Sequence, residues 1–555
     1  MPNVCDVLVR LLGEAGVRHI FGVPGDSINA LTDAIRRQSE VDFIHVNHEE
    51  SGAFAAVGQA KLTGRLGVCA GTSGPGAIHL LNALYDAKGD RAPVLAITGQ
   101  VATSNLGSDY QQEVDLHALF SDVAVYNQVV TSAEHFPYIA VQAIQAALER
   151  RGVAHLNIPL DLSTKAVPQA DRWHVRVPEL RTLPDVDEAI RKAARLIDAA
   201  RKPVILAGLG CKGAEEKVLD LAGRIGAPVI HALRAKELFP ESHSLSIGGI
   251  GNLGVKPSVH AMEHADLLLM IGTNFPYVEF LPKKVKAIQI DLDPRQIAKR
   301  IPVDCGIEGD AGAVLDRLLP MVTAKDDQSF LADVQGRKRI WHDEMKHDIT
   351  AKGTPVHPAR LAHAVGEAAG SNTVFVCDTG EVTGWTARYL QMKAGQRFTV
   401  SGMLATMAFS QGAAIGAKLA YPDRPVVVLT GDGGFSMLMT DFSTAVKYML
   451  PMLVVVFNNQ RLAMIEEEQE AKGMPAYETD LHNPNFAAFA EICGGDGVRV
   501  SDPAELDAAI ARGLASPVPF ILDVMIDTAA TFVPPKITAA QAASYVKAKV
   551  QEYAG

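Results

Sequence analysis

Gly431-Asp432-Gly433 closes the apolar run RPVVVLTGDGG, and Asn458-Asn459 closes the next run, PMLVVVFNN. Residues 434 to 457 separate the two motifs, room for one helix and one strand. Both motifs therefore fall at the C-terminal ends of neighbouring parallel strands, where ligands bind in open α/β sheets. A Gly-rich turn lets backbone N–H groups reach a diphosphate. Asp432 and Asn459 add hard oxygen donors for Mg²⁺, a cation usually held by few protein groups plus phosphates. The pair reads as a site for Mg²⁺ and a diphosphate.

Positioning these residues takes several domains. The 555 residues are 48% hydrophobic, enough for three or four cores. A net charge of -11, with no Lys/Arg run, argues against a nucleic-acid surface. Six scattered cysteines without a CxxC pair fit buried thiols in a reducing compartment. MPNVCDVLVRLLGEAG reads as an amphipathic helix, not a signal peptide, and no apolar run suits a membrane span. The expected location is the cytoplasm.

Strand-like runs alternate with helical stretches, the pattern of an α/β chain with three doubly wound parallel-sheet domains. The first domain, 1–170, carries HIFGV, DFIHV, LGVCAG, PVLAITG and HLNIPL. Residues 165–185, with three prolines, read as a linker. The central domain, 183–325, opens with the helix DEAIRKAARLIDAA and carries KPVILAGLGCKG, APVIHAL, LLLMIGT and AIQIDLD. After a charged stretch, the third domain, 350–530, carries TVFVCDTG, RPVVVLTGDGG, PMLVVVFNN, GVRVS and PFILDVMI. Residues 531–555 form a short tail. The first and third domains share a strand rhythm.

The chain resembles the thiamine-diphosphate enzymes that decarboxylate 2-oxo acids, and within them the flavin-dependent pyruvate oxidases. The resemblance runs through GVPGDSINAL, NHEESGAFAA, GTSGPGAIHLLNALYDAKGDRAPVLAITG, HALRAKE, IGTNFPY, LATMAFSQG, the GDGG run and VVFNNQRLAMIEEEQEAKG. It implies pyrimidine-binding, flavin-type and diphosphate-binding domains. It also implies thiamine diphosphate, Mg²⁺ and FAD as cofactors, and self-association with sites between subunits, usually as a homotetramer.

Residue by residue, the resemblance makes Glu49 the activating acid against the pyrimidine ring of the cofactor. Ser73 and Gly74 form a turn beside the cofactor. Asp432, Asn459 and the carbonyl of Arg461 bind Mg²⁺, and Gly431, Gly433 and Gly434 line the diphosphate. Met407 props the cofactor into a bent, near-attack shape, and the backbone of Ala405 and Met407 holds the pyrimidine edge. Ser27, His79, Gln112, Ile465 and Glu468 surround a small 2-oxo acid. FAD falls to Gly208, Gly210, Arg234, Gly248, Gly251, Thr273, Asn274, Phe275, Tyr277, Asp291 and Asp310. The strand APVIHAL ends in Leu233-Arg234, without the acid a nicotinamide ribose wants, so an NAD site is disfavoured.

Gln111 and Met464 stand where such oxidases usually carry Phe, and Asp26 stands where some carry Gly. A more polar pocket leaves the 2-oxo acid open. The tail PPKITAAQAASYVKAKVQEYAG has a mainly Ala apolar face, a poor membrane anchor. The expected activity is oxidative decarboxylation of pyruvate or a similar acid, giving acetyl phosphate or acetate, with electrons passing through FAD to oxygen or a quinone. One alternative is an acetolactate-synthase-like carboligase with a structural flavin. Those enzymes usually carry a Trp after the Asn pair, and QRLAMIEEEQEAKG has none. A non-catalytic scaffold is the other, disfavoured by intact Glu49, Asp432 and Asn459.

Overall fold

The computed structural model describes residues 1–176 and 186–554. The linker expected at 165–185 lies partly outside them; its first half is tied back to the N-terminus by Val4 N–H to Lys165 O and Val167 N–H to Pro2 O. Three six-stranded sheets carry the chain, and every strand pair within them is parallel. The first contains β1 (His19–Gly22), β2 (Asp42–His45), β3 (Gly67–Gly71), β4 (Val94–Gln100), β5 (Ala124–Val129) and β6 (Val153–Pro159). The second contains β7 (Pro203–Ala207), β8 (Val229–His231), β9 (Ser246–Gly249), β10 (Leu267–Ile271), β11 (Lys286–Asp291) and β12 (Cys305–Glu308). The third contains β13 (Val374–Cys377), β14 (Arg397–Val400), β15 (Val426–Gly431), β16 (Leu453–Asn458), β17 (Asp496–Val500) and β18 (Phe520–Met525).

The first sheet runs β2-β1-β3-β4-β6-β5 and the third β14-β13-β15-β16-β18-β17. Counted within each sheet, both orders are 2-1-3-4-6-5, so the shared rhythm is a shared topology. The second sheet, β12-β11-β10-β7-β8-β9, reads 3-2-1-4-5-6 from its other edge, the order of dinucleotide-binding sheets. The strand order reverses at β1/β3, β7/β10 and β13/β15. Ligand crevices open outside the strand ends at such points. The SGPG turn, the Gly208–Gly210 turn and the Gly431–Gly434 turn each lie at one.

The four strands the sequence reading missed, β5, β9, β12 and β14, are all edge strands. An edge strand needs no continuous apolar run; β12 alternates buried and exposed residues. Interior strands such as β4, β10 and β16 are buried throughout. The charged stretch before the third domain is a 21-residue helix, Ser329–Ile349, that buries Phe330, Val334, Trp341 and Met345. The first and third domains meet where helix Glu49–Thr63 crosses helix Phe409–Ala420. Glycines permit the approach: a Cβ on Gly58 would lie 2.6 Å from Ala413 Cα, and one on Gly416 would overlap Ala55 O. Among the described residues no helix is long and apolar enough to cross a membrane.

Candidate active site

Asp432 opens helix Asp432–Leu438, whose N-terminus has no side-chain cap. Its carboxylate is 2% exposed. Oδ2 accepts from Gln460 N–H at 2.7 Å and from Asn483 Nδ2 at 2.6 Å. Burial pushes its pKa up to about 6, with no cation among the described residues acting against it. That deficit suits a divalent ion. Asn459 brings a second oxygen close by: its Oδ1 accepts from Arg461 N–H at 3.2 Å, and Gln460 turns the chain through a left-handed φ of 59°. Asn458 has another role, since its Nδ2 donates to Asp523 at 2.9 Å inside the sheet. The Arg461 guanidinium pairs with Glu466 at 3.0 Å.

Three more elements converge on this turn. A Cβ on Gly433 would sit 3.3 Å from Met407 Cε, 2.9 Å from Leu462 Cδ2 and 3.2 Å from Leu481 Cδ1. Met407 therefore reaches the Gly433 turn. A Cβ on Gly434 would sit 2.8 Å from Asp378 Oδ2, so a side chain there would fill the cradle. Asp378 is held by Ser410 Oγ at 2.8 Å, Thr430 Oγ1 at 3.0 Å and Thr379 N–H at 2.8 Å, and burial pushes it up to about 6. Around Gly431 the space is open. An uncapped, buried helix start, open space and an uncompensated carboxylate together fit a diphosphate with its metal. Asn483, Gln460 and Asp378 were not foreseen from the sequence; Asn483 lies in HNPNF, a segment with no motif of its own.

Helix Ala463–Ala471 follows the Asn pair. Ile465 and Glu468 are exposed and three residues apart, so they share one face. The opposite side is clamped: Glu467 accepts from Phe532 N–H at 2.9 Å, and Glu470 pairs with Lys549 of helix Ala539–Ala554. The tail is thus docked on this helix.

In the first domain Glu49 opens helix Glu49–Thr63, capped by His48, whose Nδ1 accepts from Glu50 N–H at 3.2 Å. Glu49 Oε2 meets His79 Nδ1 at 2.9 Å, and the His79 ring stacks on His48 at 4.5 Å. A Cβ on Gly76 would come within 3.2 Å of Glu49 Oε1. Gly74 has φ 63°, and Gln112, at φ 62°, lies against it; Ser73 Oγ donates to Gln112 Oε1 at 3.4 Å. Ser27 is buried, and its Oγ accepts from Ser73 N–H and shares a hydrogen bond with Thr72, both at 2.8 Å, stapling the β1 turn to the β3 turn. Six of the expected residues, Ser27, Glu49, Ser73, Gly74, His79 and Gln112, thus gather beyond the C-terminal ends of β1 and β3.

The central domain brings Gly208 and Gly210 against Gly272, which has φ 60°; Gly210 N–H donates to Gly272 O at 3.0 Å. Thr273 and Phe275 are buried beside them, and Tyr277 is exposed with its ring edge-on to Phe275. Gly248 and Gly251 have φ of 130° and 101°. Asn274 is engaged by Gln296 and Arg300, and Asp310 caps helix Ala311–Leu318. Burial raises the Asp291 pKa; Arg91 of the first domain stands 3.8 Å from it. Arg234 binds Asp90 at 3.3 Å. Arg151, also of the first domain, lies in the same cleft. Its side chain is exposed on the surface, and partial desolvation and then the Arg91 and Arg234 guanidiniums push its pKa down. Of these three cations, Arg91 has Asp291 and Asp293 within 4.0 Å and Arg234 has Asp90, whereas Arg151 has no carboxylate within ion-pair distance among the described residues. Arg91 and Arg151 lay outside the segment from which flavin contacts were expected.

A thiamine-type diphosphate site on one sheet, an acid cluster on its topological twin and a dinucleotide-type sheet between them define a cofactor-dependent enzyme class. Comparison with known proteins agrees. Residues 2–119 match the thiamine pyrophosphate enzyme N-terminal TPP binding domain, 190–318 its central domain and 378–524 its C-terminal TPP binding domain. The chain is 43% identical to Bacillus subtilis YdaP, whose provisional name describes it as thiamine pyrophosphate-containing, over 98% of this chain and 95% of that protein. It is 32% identical to the pyruvate oxidase of Lactiplantibacillus plantarum, over 94% of this chain and 88% of that one. It is 30% identical to the acetolactate synthase isozyme 1 large subunit of Escherichia coli, over 94% and 93%. The chain belongs to the thiamine pyrophosphate enzyme family.

Proposed function

We propose that the protein oxidatively decarboxylates pyruvate or a similar small 2-oxo acid, using thiamine diphosphate, Mg²⁺ and FAD, and passes electrons to oxygen or a quinone with acetyl phosphate or acetate as product. The observation that carries the oxidase reading is the 3-2-1-4-5-6 central sheet whose crevice is bordered by Arg91, Arg151 and Arg234. An anionic dinucleotide would add negative charge beside Arg151, which among the described residues has no carboxylate within ion-pair distance. When bound, thiamine diphosphate supplies the carbon nucleophile and electron sink for loss of CO₂, and FAD accepts two electrons. The chain's own residues do the rest. Asp432, Asn459 and the Arg461 carbonyl would hold Mg²⁺. Glu49, with Oε2 engaged by His79, has Oε1 left to give or take a proton. His79 and Gln112 offer hydrogen bonds to a small carboxylate, and Ile465 and Glu468 face the mouth of the site.

The assembly reading is a homotetramer with sites between subunits. Asn47, two residues before Glu49, docks on Thr440, Asp441 and Ser443. That is the far end of the helical segment that begins at Asp432, about 13 Å along at 1.5 Å per residue. A second copy would bring a Glu49 to the near end. Exposed Ile78, Met403, Leu404 and Met437 offer apolar surface for that contact.

The test is anaerobic addition of a panel of 2-oxo acids to the purified protein. Bleaching of a bound flavin by pyruvate or a relative is expected, and an unbleached spectrum overturns the oxidase reading. Identity to an acetolactate synthase close to that shared with a pyruvate oxidase favours a carboligase as the second reading. Acetolactate as the main product would select it.

A further inference from the structure

The loop that carries Ala405 and Met407 is fastened by charges from two other domains. Asp86 and Asp90, on helix Leu81–Asp90 of the first domain, are 0% and 3% exposed. Lys61 Nζ lies 2.5 Å from Asp86 and 2.6 Å from Asp90, and Arg234 of the central domain lies 3.3 Å from Asp90. Two carboxylates thus meet two cations, so the cluster is balanced where it is buried. Burial raises the Asp86 pKa; it works the same way on Asp90, where Arg234 and Lys61 outweigh it and hold the carboxyl below its usual range.

The remaining lone pairs of both acids point at the loop. Asp90 Oδ2 accepts from Gly402 N–H at 3.0 Å and Oδ1 from Met403 N–H at 3.1 Å. Asp86 Oδ1 accepts from Ser401 Oγ at 2.7 Å, and Ser401 Oγ in turn accepts from Thr406 N–H at 3.0 Å. Thr406 Oγ1 is also met by Asn82 of the first domain at 3.0 Å. Ala405 and Ala408 sit at φ 55° and 67°, conformations that side-chain-bearing residues avoid unless their surroundings enforce them. Thr406 is fastened to the first domain, while its neighbour Met407 reaches the Gly433 turn.

We propose that Asp90, together with Asp86 acting through Ser401, is a positioning residue of the cofactor site: the buried pair fixes residues 401–408 so that Ala405 and Met407 present a preformed edge to the thiamine pyrimidine. This rests on the reading of that loop as part of the thiamine diphosphate site. It would make the first domain contribute to its own chain's cofactor pocket, separately from any Glu49 supplied by a second copy.

The experiment compares the full-length wild type with Ser401→Ala and Asp90→Asn. Three quantities are read: the Kd of thiamine diphosphate with Mg²⁺ by calorimetry, amide hydrogen exchange of residues 402–407, and the melting temperature without cofactor. Ser401→Ala removes one hydroxyl from the relay, so the expected result is a Kd raised about tenfold and faster exchange at Thr406 with little change in melting. Asp90→Asn turns one of two acceptors into a donor and should weaken binding more. Unchanged Kd and exchange in Ser401→Ala overturn the proposal even if Asp90→Asn fails to fold. A lower melting temperature with unchanged Kd also overturns it, leaving a structural role only. If the wild type itself binds no thiamine diphosphate, the site reading fails, which is a different outcome from wild-type binding with unaffected variants.

Discussion

Glu381 gives the sharpest pH prediction. It follows β13 at the start of helix Glu381–Tyr389, is 9% exposed, and its Oε1 has no hydrogen-bond partner among the described residues. Burial first, and Glu467 second, push its pKa up from 4.5 to about 8. Glu467 itself is raised to about 7, by burial and then by its acidic helix neighbours, against the Phe532 N–H bond that lowers it. A carboxyl whose folded pKa is raised keeps a proton that the unfolded chain has lost. Stability therefore falls as pH climbs from the unfolded value, 4.5, toward 8. At 1.36 kcal/mol per unit, the effect of this one group between pH 5 and pH 8 is at most about 4 kcal/mol, and about 2 if the pocket relaxes around the charge. Glu381→Gln keeps the shape and abolishes the titration. Its amide brings an unsatisfied group that costs about the same at every pH, so the informative quantity is the variant's stability change at pH 8 minus that at pH 5. Urea unfolding of cofactor-free protein at the two pH values measures it. The variant should gain about 2–4 kcal/mol on the wild type between pH 5 and pH 8. A difference that is the same at both pH values, within about 0.5 kcal/mol, would refute the reasoning.

Three further outcomes are expected. Asp432→Asn should weaken Mg²⁺-dependent thiamine diphosphate binding by at least about 100-fold in calorimetry, because it removes the carboxylate that opens the Gly433 turn and would hold the metal. Gly416→Ala should lower stability by about 1–3 kcal/mol through overpacking, since its Cβ would lie 2.8 Å from the Ala55 carbonyl carbon with backbone that cannot give way; a melting curve reads it. Arg151→Ala should reduce flavin retained on purification, measured by absorbance, while leaving thiamine diphosphate affinity unchanged.

Strand interiors were legible because both faces of β4, β7, β10, β15 and β16 are buried, so the sequence there is a continuous apolar run. The same logic hides an edge strand such as β5, which is half-buried along its length. At the site, Asp432, Gly433 and Asn459 were legible because they end adjacent strands, and local spacing then sets spatial distance. Asn483 was not. It reaches Asp432 because the chain doubles back, with Leu481 N–H bonded to Gln460 O, and no periodicity encodes that return. Arg91 and Arg151 were missed for a related reason: they belong to one domain and face a cleft on another.

Gly208 and Gly210 also change the weight of the flavin reading. In sequence they look like a phosphate-binding turn. In the structure each has a sufficient packing cause: a Cβ on Gly210 would lie 2.6 Å from Gly272 Cα, and one on Gly208 would lie 2.5 Å from Thr273 Cβ. These positions demand glycine whether or not a phosphate ever binds, because the β7 and β10 turns cross there. Their presence cannot distinguish a working flavin domain from one that has lost its ligand. The arginines can. Arg91 and Arg234 already have carboxylate partners, Asp291 and Asp90, whereas Arg151 feels both guanidiniums with no acid of its own within ion-pair distance among the described residues. Arg151, whose side chain makes no ion pair or hydrogen bond among the described residues, is therefore where the flavin reading is most exposed to test.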